Sequence, residues 1–400
     1  MNQAYIINGV RTPIGNIGGS LASVRTDDLA AFVLAELMKR NPSVDAKEIG
    51  DVILGCANQA GEDNRNIARM SLLLAGLPVS VPGETVNRLC ASGLSACMNA
   101  ARQIMTGDAD IIIAGGVENM TRGPWVISKT STPYGRDAQM YDSSFGWRFA
   151  NPKMKEMYGT DSMGETAENL TQVKPISRGD QDAFAYRSQM KAAAAKMKGR
   201  FAKEIIPVEI QNKKTTALFE HDEFMKQETT PEILAKLKPA FRKDGSVTAG
   251  NSSGLNDGAA AILLASENGI KKYNLKPLAK IISSAAVGVE PRIMGIGPVE
   301  ASNRALAKAN LKMSDMNVIE LNEAFAAQCL ACICSWGLKD DDERINPNGG
   351  AIALGHPLGM SGARILLSAA LELHEQNKRY ALVTMCVGVG QGFAAVIEKV

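Results

Sequence analysis

Apolar residues follow two patterns along the chain, one typical of amphipathic helices and one typical of buried strands. Between Thr26, which can cap a helix, and Asn41, which precedes a proline, apolar residues recur at helical spacing. Continuous apolar runs at 52–54 and 111–113 instead predict short buried strands. Because the two patterns alternate through much of the sequence, we expect a parallel α/β protein.

A similar order of features occurs twice, which indicates two related halves. In the first, a helix runs from just after Cys90 to Gly107, and the next strand ends at glycines 115–116. In the second, residues 359–362 open a helix, and the strand over 380–385 ends in the glycine-containing segment 386–388. We therefore expect a site shared between the halves.

Residues from about 121 to 248 are less regular and contain short helices such as 180–197. We expect an inserted loop domain whose lysines and arginines, among them Lys213 and Lys214, form a solvated face. The expected division of the chain is an N-terminal half (1–121 plus 252–275), a loop domain (122–251) and a C-terminal half (276–400).

Composition narrows the class of protein further. The 400 residues are 45% hydrophobic, and 44 Lys and Arg against 42 Asp and Glu leave a net charge of +2. Such a balance disfavours nucleic acid and anionic membranes as partners and favours small-molecule chemistry. With no long apolar run and no signal-peptide pattern, we expect a soluble cytoplasmic protein. Seven cysteines, an odd number, argue against a disulfide framework.

Two cysteines are candidates for chemistry. Cys90 lies where an extended segment (85–89) meets a helix start, and the helix amides would lower the thiol pKa from its usual ~8.5. Cys386 closes a strand before three alternating glycines, which would expose its thiol and nearby amides to a substrate. For each of them, the alternative is an inert core cysteine.

His356 is the strongest candidate base among three histidines, because it lies in a glycine-rich segment (349–359) where backbone can approach a ligand closely. His221 and His374 are expected at the surface. Asn322 and Glu323 follow the predicted strand 318–321 and can line a crevice, although a helix cap is the local alternative.

No metal or nicotinamide site is predicted. Cys329, Cys332 and Cys334 lie within one apolar helix, which favours core packing over a metal site. Motifs for nucleotide phosphates, dinucleotides and zinc peptidases are missing from the sequence.

Several segments, in this order, resemble motifs of the thiolase family, and the match covers essentially the whole chain. They are Arg11-Thr12-Pro13, Val86-Asn87-Arg88-Leu89-Cys90-Ala91-Ser92-Gly93, Gly115-Gly116-Val117-Glu118-Asn119-Met120, Thr248-Ala249-Gly250-Asn251-Ser252-Ser253-Gly254, Asn322-Glu323-Ala324-Phe325, Gly355-His356-Pro357 and Cys386-Val387-Gly388. The resemblance implies a five-layered α-β-α-β-α sandwich of two duplicated halves with an inserted loop domain. It also implies a homodimer or homotetramer, with coenzyme A as co-substrate and no covalently bound cofactor.

The resemblance also implies residue roles. Cys90 would be the nucleophile that accepts the acyl group, His356 the base for Cys90 and CoA, and Cys386 the acid/base at the α-carbon. Asn322 would hold an oxyanion-hole water beside His356, and the amides of Cys90 and Gly388 would form a second hole. The implied CoA and acyl contacts are Met163, Phe241, Ser253, Met294, Ala324 and Phe325.

Other segments resemble one branch of the family. Ser162 and Val389 depart from the short-chain biosynthetic pattern, whereas residues 55–66, 146–149 and 386–392 look like thiolases that cleave 3-oxoadipyl-CoA in aromatic-compound catabolism. The tail carboxylate of that substrate would need a cation, for which Arg65 and Arg148 are candidates; surface pairs or subunit contacts are the alternative.

Other functions remain open on the sequence alone. One is an acetyl-CoA C-acetyltransferase or a broad 3-ketoacyl-CoA thiolase, and another is a catalytically silent CoA-binding scaffold. A third is a decarboxylating condensing enzyme, which is disfavoured because such enzymes generally lack the second catalytic cysteine that Cys386 would provide.

Overall fold

Two groups of strands with the same internal order form the framework of the protein. The computed structural model describes residues 2–211 and 215–400, so Lys213 and Lys214 lie outside the described residues. The N-terminal half contains β1 (Tyr5–Arg11), β2 (Gly15–Asn16), α1 (Thr26–Arg40), β3 (Asp51–Gly55), α2 (Ile67–Leu74), β4 (Gly83–Val86), α3 (Ser92–Thr106) and β5 (Ile111–Asn119).

The next stretch holds short hairpins and helices before the chain returns to the framework. Its elements are β6 (Trp125–Ile127), β7 (Met140–Asp142), α4 (Pro152–Tyr158), α5 (Met163–Val173), α6 (Arg178–Met197), β8 (Val208–Gln211), β9 (Thr216–Phe219) and α7 (Pro231–Ala235). The returning elements are β10 (Asn256–Ala265) and α8 (Glu267–Tyr273). The C-terminal half follows with β11 (Ala279–Gly288), α9 (Gly297–Ala309), β12 (Val318–Leu321), α10 (Ala326–Ser335), α11 (Ala351–Leu354), α12 (Leu358–Glu375), β13 (Tyr380–Val387) and β14 (Gln391–Lys399).

Strand order confirms the predicted duplication. In the N-terminal half, β1, β10 and β5 are antiparallel neighbours, and β5, β3 and β4 are parallel. The C-terminal half repeats this order with β11, β14 and β13 antiparallel and β13 and β12 parallel. An isolated parallel bridge between Ile319 and Ile345 takes the place that β4 occupies in the first half.

The half-sheets meet at an edge and enclose a layer of helices. The junction is a short antiparallel ladder in which Tyr5 faces Lys280 and Ile6 faces Ala279. Between the half-sheets lie α3 and α12, which contact each other, while α12 contacts β5 and β10 on one side and β12 and β13 on the other. Because α12 is covered from both sides, it is buried almost all round, as a helix with apolar residues on every face requires.

Helices α1 and α2 cover the outer face of the N-terminal half, and α9 and α10 cover that of the C-terminal half. The arrangement therefore has the five layers expected. None of the helices in the described residues is both long and apolar enough to cross a membrane.

Helix ends show where local prediction succeeds. The predicted end of α3 is confirmed, because Gly107 caps it in the left-handed conformation at φ 88°. The predicted cap of α1 is wrong: Thr26 already lies inside the helix, and Arg25 occupies the cap position. A bidentate pair between Arg25 and Asp27 organises this start instead.

Buried ion pairs attach the stretch between β5 and β10 to the framework. The Arg11 guanidinium donates to Glu204 at 2.7 Å and to Asp222 at 2.7 and 2.9 Å, and all three side chains are buried. The boundaries 122–251 for a loop domain stay a prediction.

Candidate active site

The five residues predicted to act together lie at the ends of strands and at the starts of helices. Cys90 lies in the turn before α3, His356 in the turn before α12, and Asn322 directly after β12. Nδ2 of Asn322 lies 3.4 Å from Nε2 of His356. Cys386, near the end of β13, is close enough that a charge on Cys90 raises its pKa, and the backbone N–H of Gly388 acts to lower the pKa of Cys90.

The protonation of His356 follows from its hydrogen bonds. Its Nδ1 lies 2.6 Å from Oγ of Ser361, and that Oγ also lies 2.7 Å from the carbonyl oxygen of Pro357. Because a hydroxyl has one hydrogen, which this carbonyl accepts, Ser361 accepts a bond from Nδ1–H. The Nε2 atom is therefore the unprotonated nitrogen, and it faces Asn322.

Burial makes His356 a neutral group. Loss of hydration and the nearby Arg364 cation lower its pKa to about 3. The main-chain N–H of His356 donates to Oδ1 of Asn256 at 2.9 Å, which fixes the backbone before α12. At neutral pH the residue is thus a fixed, uncharged proton acceptor.

Cys90 does not have the low pKa expected of a cysteine at a helix start. Burial raises the pKa of its thiol to about 11, although the backbone N–H groups of Gly388 and of Cys90 itself act in the opposite direction. The prediction of a lowered pKa is wrong because loss of hydration outweighs these donors. Leu89, beside it, has φ 46°, so the turn holds a strained conformation for a residue with a side chain.

Cys386 is fully buried, so the expected exposure of its thiol is wrong. It packs in a small apolar cluster with Met294, Ala324 and Phe325, with Met163 at its edge. Burial and the neighbouring Cys90 raise its pKa, which keeps the thiol protonated and able to donate a proton.

Asn322 and Glu323 do not cap the following helix, so the local alternative is wrong. That helix begins at Ala326, with Phe325 in the cap position. Oδ1 of Asn322 is buried and has no hydrogen-bond partner among the described residues. Glu323 accepts from Ser188 at 2.6 Å and from Asn346 at 2.7 Å, which gives it a structural role.

The six residues expected to contact CoA and the acyl group lie around this cluster. The Phe241 ring lies edge to face with Phe325 at 6.1 Å, and a Cβ on Gly164 would lie 2.1 Å from the Phe241 ring. The main-chain N–H of Ser253 donates to Ala324 at 3.0 Å. Together with Met163 and Met294 they form one wall.

A small depression beside this wall, with a volume of about 10 Å³, is lined by a cation that no sequence motif predicts. Its lining includes Trp147, Tyr158, Met163, Arg292 and Val389. Nε of Arg292 bonds Asp161 at 2.9 Å, and the terminal nitrogens have no hydrogen-bond partner within the described part of the chain. No local pattern marks this arginine, because its position depends on packing between distant segments.

The two arginines predicted to bind a carboxylate lie elsewhere. Arg65 is exposed at φ 60°. Arg148 donates to the carbonyl oxygens of Ser143 at 3.3 Å and Asn58 at 3.1 Å, which leaves part of its guanidinium available. Neither arginine is brought into contact with Cys90.

The remaining histidines and cysteines occupy varied positions. His221 is exposed as expected, whereas His374 is half-buried and its ring nitrogen lies 2.6 Å from the Leu278 carbonyl oxygen. Cys329 and Cys332 are buried in α10, in agreement with the predicted core packing, whereas Cys334 is exposed.

Among the described residues, one group has the spacing of a metal site. Ligand atoms of Cys56, Asp63 and Glu118 lie within 4.8 Å of one another. Asp63 accepts backbone N–H bonds from Gln59 and Gly61, and Glu118 accepts three such bonds. The carboxylate lone pairs are therefore engaged by donors.

Comparisons with known proteins agree with this geometry. A family model described as the thiolase N-terminal domain matches residues 4–268, and one described as the thiolase C-terminal domain matches residues 275–399. The chain belongs to the thiolase family, and its chemistry is acyl transfer.

Individual relatives are similar over their full length. The chain is 58% identical to the 3-oxoadipyl-CoA/3-oxo-5,6-dehydrosuberyl-CoA thiolase of Escherichia coli (strain K12), with 100% of both chains covered. It is 57% identical to a beta-ketoadipyl-CoA thiolase of Acinetobacter baylyi, again with 100% of both covered. The crystal structure of the Bacillus anthracis acetyl-CoA acetyltransferase matches with a TM-score of 0.93 and 41% identity, covering 100% of this chain and 99% of that one.

Proposed function

We propose that this thiolase cleaves 3-oxoadipyl-CoA with free coenzyme A to give succinyl-CoA and acetyl-CoA. The observation that carries the chemistry is the Nδ1 bond of His356 to Ser361, which leaves Nε2 free as a base in a site with two cysteines. Relatives at 58% and 57% identity whose names include this substrate support the choice of acyl chain.

The first half-reaction forms an acyl-enzyme. Nε2 of His356 takes the proton of the Cys90 thiol, and the thiolate attacks the C3 carbonyl carbon. Breaking the C2–C3 bond leaves its electron pair on the acetyl-CoA enolate, which takes the proton of Cys386. The products are acetyl-CoA and succinyl-Cys90.

The second half-reaction releases the product. The proton held on Nε2 of His356 passes to the Cys386 thiolate, which makes His356 neutral again. His356 then takes the proton of the incoming CoA thiol, CoA attacks the thioester, and the same proton goes to the Cys90 sulfur as it leaves. The amides of Cys90 and Gly388 would stabilise one oxyanion, and His356 with a water on Asn322 the other, each donor contributing ~3 kcal/mol. CoA enters as co-substrate, with no tightly bound cofactor.

The decisive experiment compares kcat/KM for thiolysis of 3-oxoadipyl-CoA, acetoacetyl-CoA and neutral 3-oxohexanoyl-CoA. A preference of ~100-fold for 3-oxoadipyl-CoA, equal to ~2.7 kcal/mol, is the expected result. Equal or faster cleavage of the neutral substrates would overturn the substrate while leaving the reaction intact. Loss of all turnover in Cys90→Ala excludes a silent binding scaffold.

The tail carboxylate needs a cation, and three arginines are candidates. Arg65 and Arg148 come from the sequence, and Arg292 lies on the cavity beside Met163. We expect Arg→Gln at the residue that binds the carboxylate to abolish the preference for 3-oxoadipyl-CoA while sparing 3-oxohexanoyl-CoA. The other two variants serve as matched controls, and an unchanged preference in all three would contradict an arginine partner.

We further propose a cytoplasmic homodimer or homotetramer. The hairpin of β6 and β7 supports self-association, because Trp125, Ile127 and Met140 are exposed by 69%, 66% and 56%. Light scattering of Trp125→Lys beside the native protein tests this, and an unchanged mass would contradict a role for the hairpin.

A further inference from the structure

Glu118 is a buried carboxylate near the end of β5 that the mechanism does not use. Its oxygens accept backbone N–H bonds from Ala57 and Asn58, each at 3.0 Å, and from Gly359 at 2.8 Å. The first two donors belong to the N-terminal half, and the third lies in the first turn of α12 in the C-terminal half. One side chain thus bonds both halves beside the active site.

Glu118 caps the start of α12, although it lies far from that helix in the sequence. The first amides of a helix lack partners within it, and a nearby carboxylate also stabilises the positive end of the helix dipole. Pro357 occupies the cap position of α12, and its ring offers no acceptor. Glu118 supplies the acceptor instead.

Backbone packing holds this helix start against β5. A Cβ on Gly116 would lie 1.9 Å from the Gly359 carbonyl oxygen, and a Cβ on Gly359 would lie 2.3 Å from that of Val117. The same first turn carries Ser361, which sets the tautomer of His356. Movement of this turn would therefore move the base.

A series of hydrogen bonds also connects Glu118 to the residue before Cys90. The carbonyl oxygen of Ala57, whose amide Glu118 accepts, receives a bond from Nδ2 of Asn87 at 3.0 Å. Oδ1 of Asn87 in turn accepts from the amide of Leu89 at 2.9 Å, one residue before Cys90.

We propose that Glu118 is a positioning residue that holds the His356 turn and the Cys90 turn in register across the boundary between the two halves. The proposal rests on the proposed thiolysis and adds to it the device that aligns the base with the nucleophile. The negative charge of Glu118 has the opposite effect on Cys90 reactivity, because it raises the pKa of the Cys90 thiol and so disfavours the thiolate.

The test variant is Glu118→Gln, with Asp63→Asn as the matched control. Glutamine keeps the shape but replaces one acceptor oxygen by an NH2 donor, which cannot accept from the amides it would face. Asp63 also accepts two backbone amides of the same loop, yet these bonds do not reach α12. We expect kcat to fall at least ~10-fold in Glu118→Gln with KM for CoA within ~2-fold, and Asp63→Asn to lose less than ~3-fold.

A readout without turnover separates positioning from charge. We expect iodoacetamide to alkylate Cys90 at least ~5-fold more slowly in Glu118→Gln at fixed pH, because proton transfer to His356 is misaligned. Equal or faster alkylation, or an equal kcat loss in Asp63→Asn, would overturn the proposal. Absence of thiolysis by the native enzyme would overturn the proposed function alone, because the alkylation comparison stands without it.

Folding of the variants is checked by thermal unfolding. If Glu118→Gln does not fold, Glu118→Asp keeps the charge but shortens the reach by one methylene. Slower alkylation in Glu118→Asp supports positioning, and native-like alkylation overturns it.

Discussion

Nδ1 of His356 lies 2.6 Å from Oγ of Ser361, whose own hydrogen goes to the Pro357 carbonyl. This bond places the free electron pair of the imidazole on Nε2, beside Asn322. A serine one turn into α12 thus determines which nitrogen can act as the base.

We expect Ser361→Ala to lower kcat about 100-fold, because the other tautomer would present a protonated Nε2 to the thiol. Steady-state thiolysis and the rate of acyl-enzyme formation measure this. Ser335→Ala, which removes a similar hydroxyl-to-carbonyl bond in α10, is the control and should leave kcat unchanged. Similar kcat losses in the two variants would contradict the tautomer argument.

The pKa values of Cys90 and His356, the proposed nucleophile and base, predict the pH dependence of Cys90 alkylation. With pKa values of about 11 for Cys90 and about 3 for His356, both groups are neutral between these limits. These values allow only ~10⁻⁸ of the pair to exist as thiolate and imidazolium, so His356 must remove the proton while the sulfur attacks the reagent. Because this step starts from the neutral pair, it should add a pH-independent part to the native rate. In His356→Asn only the free thiolate reacts, and the rate should rise about tenfold per pH unit up to about pH 11.

The contradicting result is a plateau below about pH 9 in His356→Asn, which would mean that the thiol has a lower pKa without the histidine. A single iodoacetamide titration of both proteins distinguishes the two cases.

Val389 has φ 62°, a strained conformation for a β-branched residue, and lines the cavity beside Met163. Val389→Gly should relieve ~1 kcal/mol of strain and widen the cavity, which raises kcat/KM for neutral 3-oxooctanoyl-CoA. Val389→Asn should also relieve the strain, because asparagine adopts positive φ more readily, but its side chain should keep the cavity narrow. Equal kinetics for both variants would show that the cavity does not hold the acyl tail.

Gly116→Ala should destabilise the fold by at least ~3 kcal/mol, because its Cβ would lie 1.9 Å from a backbone oxygen of α12. The control is Gly288→Ala, whose Cβ would meet its nearest neighbour at 3.9 Å. Urea unfolding measures both, and equal midpoints would contradict the close contact between β5 and α12.

Local sequence signals predict elements whose ends depend on neighbouring residues. The strand 318–321 agrees with the structure, and the helix after Cys90 ends at Gly107 as predicted. The predicted cap of α1 is wrong by one residue: Thr26 has a side chain that can cap a helix, but the helix already begins at Thr26 and Arg25 occupies the cap position.

Properties set by tertiary packing escape such reasoning. The Cys90 pKa depends on burial by distant strands, so the helix start alone gives the wrong direction. Glu118 accepts a hydrogen bond from Gly359, and Arg292 lines a cavity together with Met163. In both cases the two residues are more than one hundred positions apart, so no local spacing in the sequence predicts the contact. The roles proposed for Cys90, His356 and Cys386 depend on several motifs considered together, because no single motif is specific enough to predict them.

The central position of α12 has a consequence for how the two halves unfold. A single half, with the strand order repeated in both, would leave its inner helix bare on the side that the other half now covers. Separating the two halves would therefore expose this apolar helix to water on one side. The two halves are thus expected to unfold together as one cooperative unit, although each has its own sheet.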